Sequence, residues 1–372
     1  RLNEMANTGE VPFRHYYGSV DSTPLFIFLA GQYFRRTGDR ESIETLWPHL
    51  EAACAWIENA GDRDGDGFFE YGRRNQNGLR NQGWKDSHDA ISHADGRLAE
   101  GPIALVEMQA YVYGAWRAMA DISKARGDRA AAREWRAKAS DLKQRFNATF
   151  FDEELGCYIL ALDGDKQPCR VVSSNAGHAL LTGIATQRHA EAVAARLLEP
   201  DCFSGWGIRT LARGESRYNP ISYHNGSIWP HDNALIAAGF SRYGLQDAVA
   251  RVFGALFEAT FYFDQQRFPE LFCGFGRRHG RGPTLYPVAC APQAWASGAP
   301  MYMIQAALGL NVCAPDAVRF DKPSLPAFLS NLSLDGLACG EASVDLDVQQ
   351  IGPATSVFVR RAGKNVKVAI GI

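Results

Sequence analysis

Hydrophobic residues recur every three or four positions along most of the chain between residues 22 and 310. That spacing is typical of helices that bury one face. The first such segment begins at Ser22-Thr23-Pro24, a capping sequence followed by proline in the first turn, and ends at Gly38. The same criteria predict helices over residues 22–38, 40–59, 102–125, 129–149, 175–182, 187–198, 229–243, 245–263 and 292–310.

Three long polar segments separate these helices, over residues 60–101, 203–228 and 264–291. They are longer than plain connections between helices, and long ordered loops on a helical scaffold usually carry function. A fourth segment, residues 157–172, is typical of a short β-hairpin that turns at Asp163-Gly164-Asp165.

The pattern changes after Pro315, where short runs alternate apolar and polar residues or are rich in β-branched residues. Strands are predicted over residues 332–337, 342–348, 355–359 and 366–370. We therefore predict a helical catalytic domain over residues 1–312 and a small β-rich C-terminal subdomain over residues 313–372.

Helix pairs that alternate with long loops favour a mainly α fold, an (α/α)6 barrel of six helical hairpins, with a small β-rich tail. A parallel α/β sheet is disfavoured because strands and helices do not alternate. The predicted helices are too few for six hairpins, and the chain begins at Arg1, so we expect an N-terminally truncated barrel. A helical solenoid with a β-tail is the alternative, but no repeated sequence period supports it.

Composition narrows the class of protein. The chain has 372 residues, 46% hydrophobic and 22% charged, with a net charge of −2 and no basic run, which argues against nucleic-acid binding. Without an apolar stretch of roughly 18 residues, no membrane helix is expected. The eight cysteines are scattered without a CxxC pair, so we expect reduced thiols, no zinc and a cytoplasmic location. No cofactor is indicated, and the oligomeric state stays open.

The first loop contains NQGWKDSHDA, residues 81–90, in which two acids lie among a Trp, a Lys and a His. Asp86 is the better candidate for a general acid, because the nearby Trp84 can exclude water and raise a carboxyl pKa. Asp89 is more consistent with a supporting role, as a cap of the segment or as a partner of a neighbouring side chain.

The third loop contains RFPELFCGF, residues 267–275, which places Glu270 between bulky apolar residues. A carboxylate in such surroundings is costly unless it is paired or useful. We interpret Glu270 as the second carboxylate of a glycoside-cleaving pair. The alternative is a salt bridge from Glu270 to Arg267 or Arg277.

The second loop runs into a helix as SYHNGSIWPHDNAL, residues 222–235, and is rich in donors and aromatic rings. His224, Asn225 and Trp229 are candidates for sugar contacts, because aromatic rings stack on pyranose faces and amides bind hydroxyls. Asp232 is also a candidate, although its position in the first helical turn is equally suited to the helix dipole.

Other segments add candidates for substrate contact. Glu107 lies within an apolar helical run, one turn before Tyr111, and Asp21 stands at a helix entrance where capping is an equal alternative. The remaining candidates are Tyr71, Lys85, Gln109 and Trp295.

One motif resembles a calcium-binding loop. DRDGDGFFEYGR, residues 62–73, has Asp62, Asp64, Asp66 and Gly67 at ligand and turn positions, but Arg73 stands where an EF-hand needs glutamate. We interpret the segment as a tight Asp/Gly turn and predict no metal site.

Taken together, these loops resemble the amylo-α-1,6-glucosidase, glycogen-debranching-type family of (α/α)6-barrel glycosidases, and more loosely the α-glucosidase and mannosylglycerate-hydrolase-like barrels. The resembling stretches are YYGSVDSTPLF (16–26), DGDGFFEY (64–71), NQGWKDSHD (81–89), EGPIALVEMQAYVY (100–113), YHNGSIWPHDNALIA (223–237), FPELFCGF (268–275) and YPVACAPQAWA (286–296). The resemblance implies Asp86 as general acid, Glu270 as general base and an inverting mechanism. Inversion requires carboxyl groups roughly 6.5–9.5 Å apart, whereas a separation of roughly 5–5.5 Å indicates retention.

The resulting hypothesis is an inverting hydrolase of an α-linked glucoside or related hexoside, with the α-1,6 branch glucose of a glycogen-like glucan as one candidate. One alternative is a sugar epimerase or isomerase on the same toroid, which would use histidines such as His178, His224 and His231. The other alternative is a non-catalytic carbohydrate-binding protein.

Overall fold

The computed structural model describes residues 2–8, 18–73, 78–352 and 354–371; Tyr16 and Tyr17 of the first resembling stretch lie outside them. Within these ranges the α-helices are α1 Leu2–Asn7, α2 Ser22–Thr37, α3 Arg40–Trp56, α4 Val106–Arg126, α5 Arg129–Thr149, α6 Asn175–Thr182, α7 Gln187–Leu197, α8 Pro230–Arg242, α9 Gln246–Thr260 and α10 Ala294–Ala307. The strands are β1 Ala104–Leu105, β2 Phe151–Asp152, β3 Cys157–Tyr158, β4 Ala161–Leu162, β5 Pro168–Cys169, β6 Leu310–Cys313, β7 Ala317–Asp321, β8 Asn331–Cys339, β9 Ala342–Ile351, β10 Ala354–Ala362 and β11 Lys367–Gly371. The protein is mainly helical with small sheets.

Local signals define the ends of several helices. The carboxylate of Asp39 accepts a hydrogen bond from the Ser42 amide at 3.0 Å and starts α3. Asp128 starts α5 in the same way. Gly38 ends α2 with φ of +70°, a left-handed conformation that glycine adopts without strain.

Some helix ends differ from the prediction. The helix predicted over 102–125 begins only at Val106, because Ala104–Leu105 pair with β4 as strand β1. The predicted cap at Ser22-Thr23 is also displaced: Ser22 is already helical, and Asp21 occupies the N-cap without a side-chain capping bond.

The helices form two layers. Helices α2, α4, α6, α8 and α10 contact one another in that order and form an arc. Helices α3, α5, α7 and α9 lie outside it, each against the helix that precedes it in the chain. All eight residues of α6 are buried, whereas α5 buries only one face, as expected for an inner and an outer helix.

The C-terminal segment forms two three-stranded sheets that are largely antiparallel. One contains β8, β9 and β10, and the other contains β6, β7 and β11, with β11 parallel to β7. The predicted strands are present, but β6 and β7 were not predicted. A separate hydrophobic cluster begins at Leu308 and includes Val318, Phe320 and Val344. The predicted domain boundary at residue 312 falls within β6, so the exact boundary stays a prediction.

The hairpin predicted over residues 157–172 is partly confirmed. Strands β4 and β5 pair across the predicted turn. Strand β3 instead pairs antiparallel with β2, which precedes it in the chain just after α5. All eight cysteines are free thiols. Among the described residues, every helix is too short or too polar to cross a membrane.

Candidate active site

Five aromatic side chains, four of them buried and Trp84 partly buried, form a layer that we name the aromatic floor: Trp84, His178, His224, Trp229 and His231. The Trp84 ring is at its centre, stacked on His178 at 5.9 Å between centroids and edge-on to the other three at 5.1–5.7 Å. The floor joins the first loop to the start of α8 and to α6. These residues are distant in sequence, so the floor exists only in the folded protein.

Trp295, in the first turn of α10, extends the aromatic floor towards solvent. Its ring is parallel to that of His231, with centroids 3.8 Å apart, and it meets Trp229 edge-on. Trp295 is 39% exposed, whereas Trp229 is 1% exposed. One indole is therefore held rigidly while part of its surface stays accessible, a suitable arrangement for stacking on a sugar ring.

Asp86 lies beside the aromatic floor with a half-exposed side chain. The nearer carboxylate oxygen is 4.0 Å from Nδ1 of His224, and the Ser87 hydroxyl is 2.7 Å from the same nitrogen. Partial burial raises the pKa of Asp86, and the negative charge of Asp21 raises it further. This environment favours the protonated carboxyl that a general acid requires.

Glu270 is 7% exposed and its carboxylate has two hydrogen-bond donors. The Tyr223 hydroxyl donates to Oε1 at 2.8 Å, and the backbone amide of Cys290 donates to Oε2 at 3.2 Å. The Glu270 amide in turn donates to the Cys290 carbonyl at 2.9 Å. The carboxylate is thus fixed in orientation by the second loop and by the end of the third.

Two acids, Glu270 and Asp21, do not make the supporting contacts that were the alternatives to a role in the site. Among the described residues, Glu270 makes no ion pair with Arg267 or Arg277, so the predicted alternative of a salt bridge is wrong there. The Asp21 side chain makes no capping hydrogen bond to α2; its carboxylate accepts from the Ser19 hydroxyl at 2.6 Å, and burial raises its pKa.

Backbone pairing and buried side chains hold the three long loops together. Ile228 in the second loop exchanges two hydrogen bonds with Phe272 in the third, two residues beyond Glu270. Lys85 in the first loop donates to the Thr210 carbonyl of the second at 2.6 Å. These contacts bring Asp86 and Glu270 to the same face of the helical body.

A chain of buried polar groups supports the floor from the side of α4 and α6. The Tyr111 hydroxyl is 2.5 Å from Nδ1 of His178, and Nε2 of His178 is 2.7 Å from Oδ1 of Asp232. Although burial opposes it, the hydrogen bond from His178 lowers the pKa of Asp232. Asp232 is therefore a buried anion that orients His178 beneath Trp84.

Lys85 and Glu107 add two more buried ionisable groups. Burial lowers the pKa of Lys85 to about 8, while the charges of Asp232 and Glu107 oppose that change. Glu107 accepts from the Asn175 amide at 2.9 Å, and burial raises its pKa. The positive charge of Lys85 partly balances the charges of Glu107 and Asp232. We therefore interpret these three side chains as internal support of the aromatic floor.

Three predicted substrate contacts are occupied by the protein itself. The Gln109 amide exchanges hydrogen bonds with the Phe69 backbone at 2.7 and 2.8 Å, and the Tyr71 hydroxyl donates to Asn81 at 2.8 Å. The Asn225 amide donates to a carbonyl of the first loop, that of residue 89. These contacts favour a role in holding the loops rather than in touching substrate.

Other residues of the site were not selected as contacts from the sequence. Tyr223 is the clearest omission, although it directly precedes His224 in the same motif. Ser87, beside Asp86, is a second. His178 and His231 were considered only as residues of an epimerase, because their place in the floor depends on helix packing.

The calcium-like segment does bring four acids together: Asp62, Asp64, Asp66 and Glu70. The ammonium of Lys166, from the β4–β5 turn, lies 2.7 Å from Asp64 and from Asp66 and 3.0 Å from Glu70. Gly65 and Gly67 adopt positive φ, so the predicted tight turn is confirmed. These acids are the described residues best placed to hold a cation, and a bound metal would compete with Lys166.

The sequence matches a family model described as the mannosylglycerate hydrolase MGH1-like glycoside hydrolase domain, over residues 18–275. This chain therefore belongs to that family of glycoside hydrolase domains. The match includes both candidate carboxylates and the loop that holds Tyr223 and His224. No curated protein matches the sequence.

Solved structures share the fold. A sialidase superposes with a TM-score of 0.70 at 13% identity, covering 92% of this chain and 32% of its own. A GH78 family rhamnosidase of Bacillus sp. GL1 gives 0.66 at 17% identity, covering 95% and 33%. The GH63 mannosylglycerate hydrolase from Thermus thermophilus, solved with glucose, gives only 0.43 at 20% identity, covering 54% and 47%. This chain thus spans about a third to a half of the length of these structures.

Proposed function

We propose that this protein is an inverting glycoside hydrolase in which Asp86 is the general acid and Glu270 the general base. One observation carries the proposal: Tyr223 donates a hydrogen bond to Glu270, and the next residue, His224, lies 4.0 Å from Asp86, so that both carboxyl groups lie beside the aromatic floor. Membership of a glycoside hydrolase domain family supports the same reaction class.

In this mechanism Asp86 donates its proton to the glycosidic oxygen as the bond to the anomeric carbon breaks. A water molecule attacks the opposite face of the sugar, and Glu270 accepts its proton. The Tyr223 hydroxyl and the Cys290 amide hold Glu270 in place, so that one orientation of the carboxylate is available to the water. The product carries the anomeric configuration opposite to that of the substrate.

We further propose that the helical arc is part of an (α/α)6 toroid. Five helices in consecutive contact, four of them with an outer partner, are the arrangement expected of such a toroid. The candidate site lies at the N-terminal ends of α8 and α10, where the long loops are found.

For the substrate, we propose an α-linked glucoside or related hexoside. The exposed Trp295, supported by the aromatic floor, suits stacking on one pyranose ring. The mannosyl substrate named for the family adds mannosylglycerate to the candidates. The α-1,6 branch of a glycogen-like glucan stays a candidate through the resemblance described above.

Two of the three candidate histidines, His224 and His231, argue against the epimerase alternative. Burial lowers the pKa values of His224 and His231 to about 3, so neither ring is a cationic acid near neutral pH. An interconversion that needs a protonated histidine would lack its acid at these positions.

The test is to assay Asp86→Asn and Glu270→Gln, with Asp89→Asn as matched control, against isomaltose-type, trehalose, mannosyl and mannosylglycerate substrates. We expect each of the first two variants to lose turnover by about a thousandfold or more while remaining folded, and the control to stay active. Proton NMR of the first product should show the inverted anomer. Retention of configuration, epimerised monosaccharide, or a near-normal rate in either variant would overturn the assignment.

A further inference from the structure

A cavity of about 570 Å³ lies at the C-terminal ends of α2, α8 and α10. The opposite ends of the same helices carry Asp21, Trp229 and Trp295 of the candidate active site. Since the 13 residues of α8 extend for about 20 Å, the cavity is separate from that site. Its volume is within the range of pockets that bind small molecules, roughly 300–1,000 Å³.

The cavity wall carries four cationic side chains, from Arg35, Arg242, Arg319 and Lys322, and one carboxylate, that of Asp321. Arg319 donates to Asp321 at 2.6 Å and is thereby paired. The other three cations form no ion pair with any residue in the described part of the chain. The cavity therefore has an excess of positive charge on its wall.

Arg35 and Arg242 are the central pair. Arg242 donates from Nε to the Leu181 carbonyl at 2.9 Å, and the Arg35 side chain donates to two neutral groups, those of Asn311 and Cys313. Burial lowers the pKa of Arg242, and the neighbouring charge of Arg35 lowers it further. The two guanidinium groups thus repel each other and keep N–H donors available.

Helix dipoles explain part of this arrangement. Both arginines are in the last turn of their helices, where a positive charge interacts favourably with the C-terminal carbonyls. Arg242 also donates a hydrogen bond to a carbonyl near the C-terminal end of a neighbouring helix, that of Leu181 in α6. The dipoles therefore account for the position of the arginines, but most of their N–H donors have no acceptor among the described residues.

We propose that this cavity binds an anion of the phosphate class, held between Arg35 and Arg242 with Lys322 at the side. Guanidinium groups bind phosphate oxygens in a bidentate manner, and an anion placed here would remove the repulsion between the two arginines. The cavity has room for a phosphoryl group alone or for one attached to a small sugar. This proposal does not depend on the proposed hydrolase reaction.

The test is isothermal titration calorimetry of the full chain with inorganic phosphate, glucose 6-phosphate and glucose, at constant ionic strength set with sodium chloride. We expect saturable binding of both phosphate compounds, no binding of glucose at this site, and a melting temperature that rises with phosphate concentration. A markedly tighter interaction with glucose 6-phosphate would identify a phosphorylated sugar as the preferred form, and equal affinities a free phosphate.

Substitutions of the arginines test whether phosphate binds in this cavity. Arg242→Gln and Arg35→Gln, both at exposed positions, should each weaken phosphate binding by about tenfold or more. Arg36→Gln, one residue along α2 and outside the cavity wall, should not. Circular dichroism checks that each variant is folded. The absence of saturable binding by either phosphate compound, or equal weakening in the Arg36 variant, would overturn the proposal.

Discussion

The Tyr223 hydroxyl donates a hydrogen bond to Oε1 of Glu270 at 2.8 Å. The next residue, His224, has its Nδ1 atom 4.0 Å from Asp86. Two consecutive residues of one loop therefore lie beside two carboxyl groups that are far apart in the sequence, and Tyr223 orients one of them by a hydrogen bond. A substitution at either residue should affect the proposed reaction without removing a carboxyl group.

Tyr223→Phe removes the hydroxyl that orients Glu270. A hydrogen bond to a charged group contributes about 1.5–3 kcal/mol, so kcat should fall by roughly 10–100-fold while KM changes little. Tyr218→Phe is the matched control, because the Tyr218 hydroxyl bonds to the Gly274 carbonyl in the same region instead. Steady-state kinetics of both variants test the role, and equal losses would argue for general damage to the loop.

The pH dependence of kcat/KM should report the proton on Asp86. The general acid must be protonated, so activity should fall as pH rises through the raised pKa of Asp86. Because the charge of Asp21 raises that pKa, Asp21→Asn should lower it and move the alkaline limb to lower pH. A pH–rate profile with an unmoved alkaline limb would show that Asp21 does not act on Asp86.

Trp295→Ala tests the exposed ring as a platform for sugar. Loss of a stacking surface should raise KM by about 3- to 10-fold and leave kcat nearly unchanged. Trp56, similarly exposed at 37% but on the outer helix α3, provides the control Trp56→Ala. An unchanged KM in the Trp295 variant would remove this residue from the substrate site.

Lys166→Met removes the cation that lies among the acids of the calcium-like segment. Its ammonium contacts Asp64, Asp66 and the fully buried side chain of Glu70, so removal should destabilise the fold by about 1–3 kcal/mol near neutral pH.

The sign of the pH effect follows from the same contacts. Without Lys166 the folded protein holds its carboxyl protons more tightly than the unfolded chain, so the deficit should shrink as pH falls towards about 4. Urea unfolding at several pH values measures it, and Lys364→Met, at an exposed position, is the control. A deficit that stays constant with pH would contradict this account.

Local signals predicted much of the fold. The apolar spacing located the nine helices from α2 to α10, with ends shifted by a few residues, because burial of one helical face and capping residues such as Asp39 and Asp128 act over short distances. Strands β1, β2, β6 and β7 were not predicted. Strand β7 pairs with its neighbour β6 but also with the distant β11, and the short segment Ala104–Leu105 is a strand only because it meets β4.

For the candidate carboxylates too, part of the site could be predicted from the sequence and part depends on the tertiary structure. Sequence alone determined which residues have the required chemistry: Asp86 beside Trp84, and Glu270 among apolar neighbours. Only the tertiary structure decided which residues surround them, because Tyr223 and Cys290 bond to Glu270, and His224 lies near Asp86, through loops whose pairing is long-range. It also decided that Gln109 and Tyr71 serve the protein's own loops, since a side chain's partner depends on which backbone folds against it.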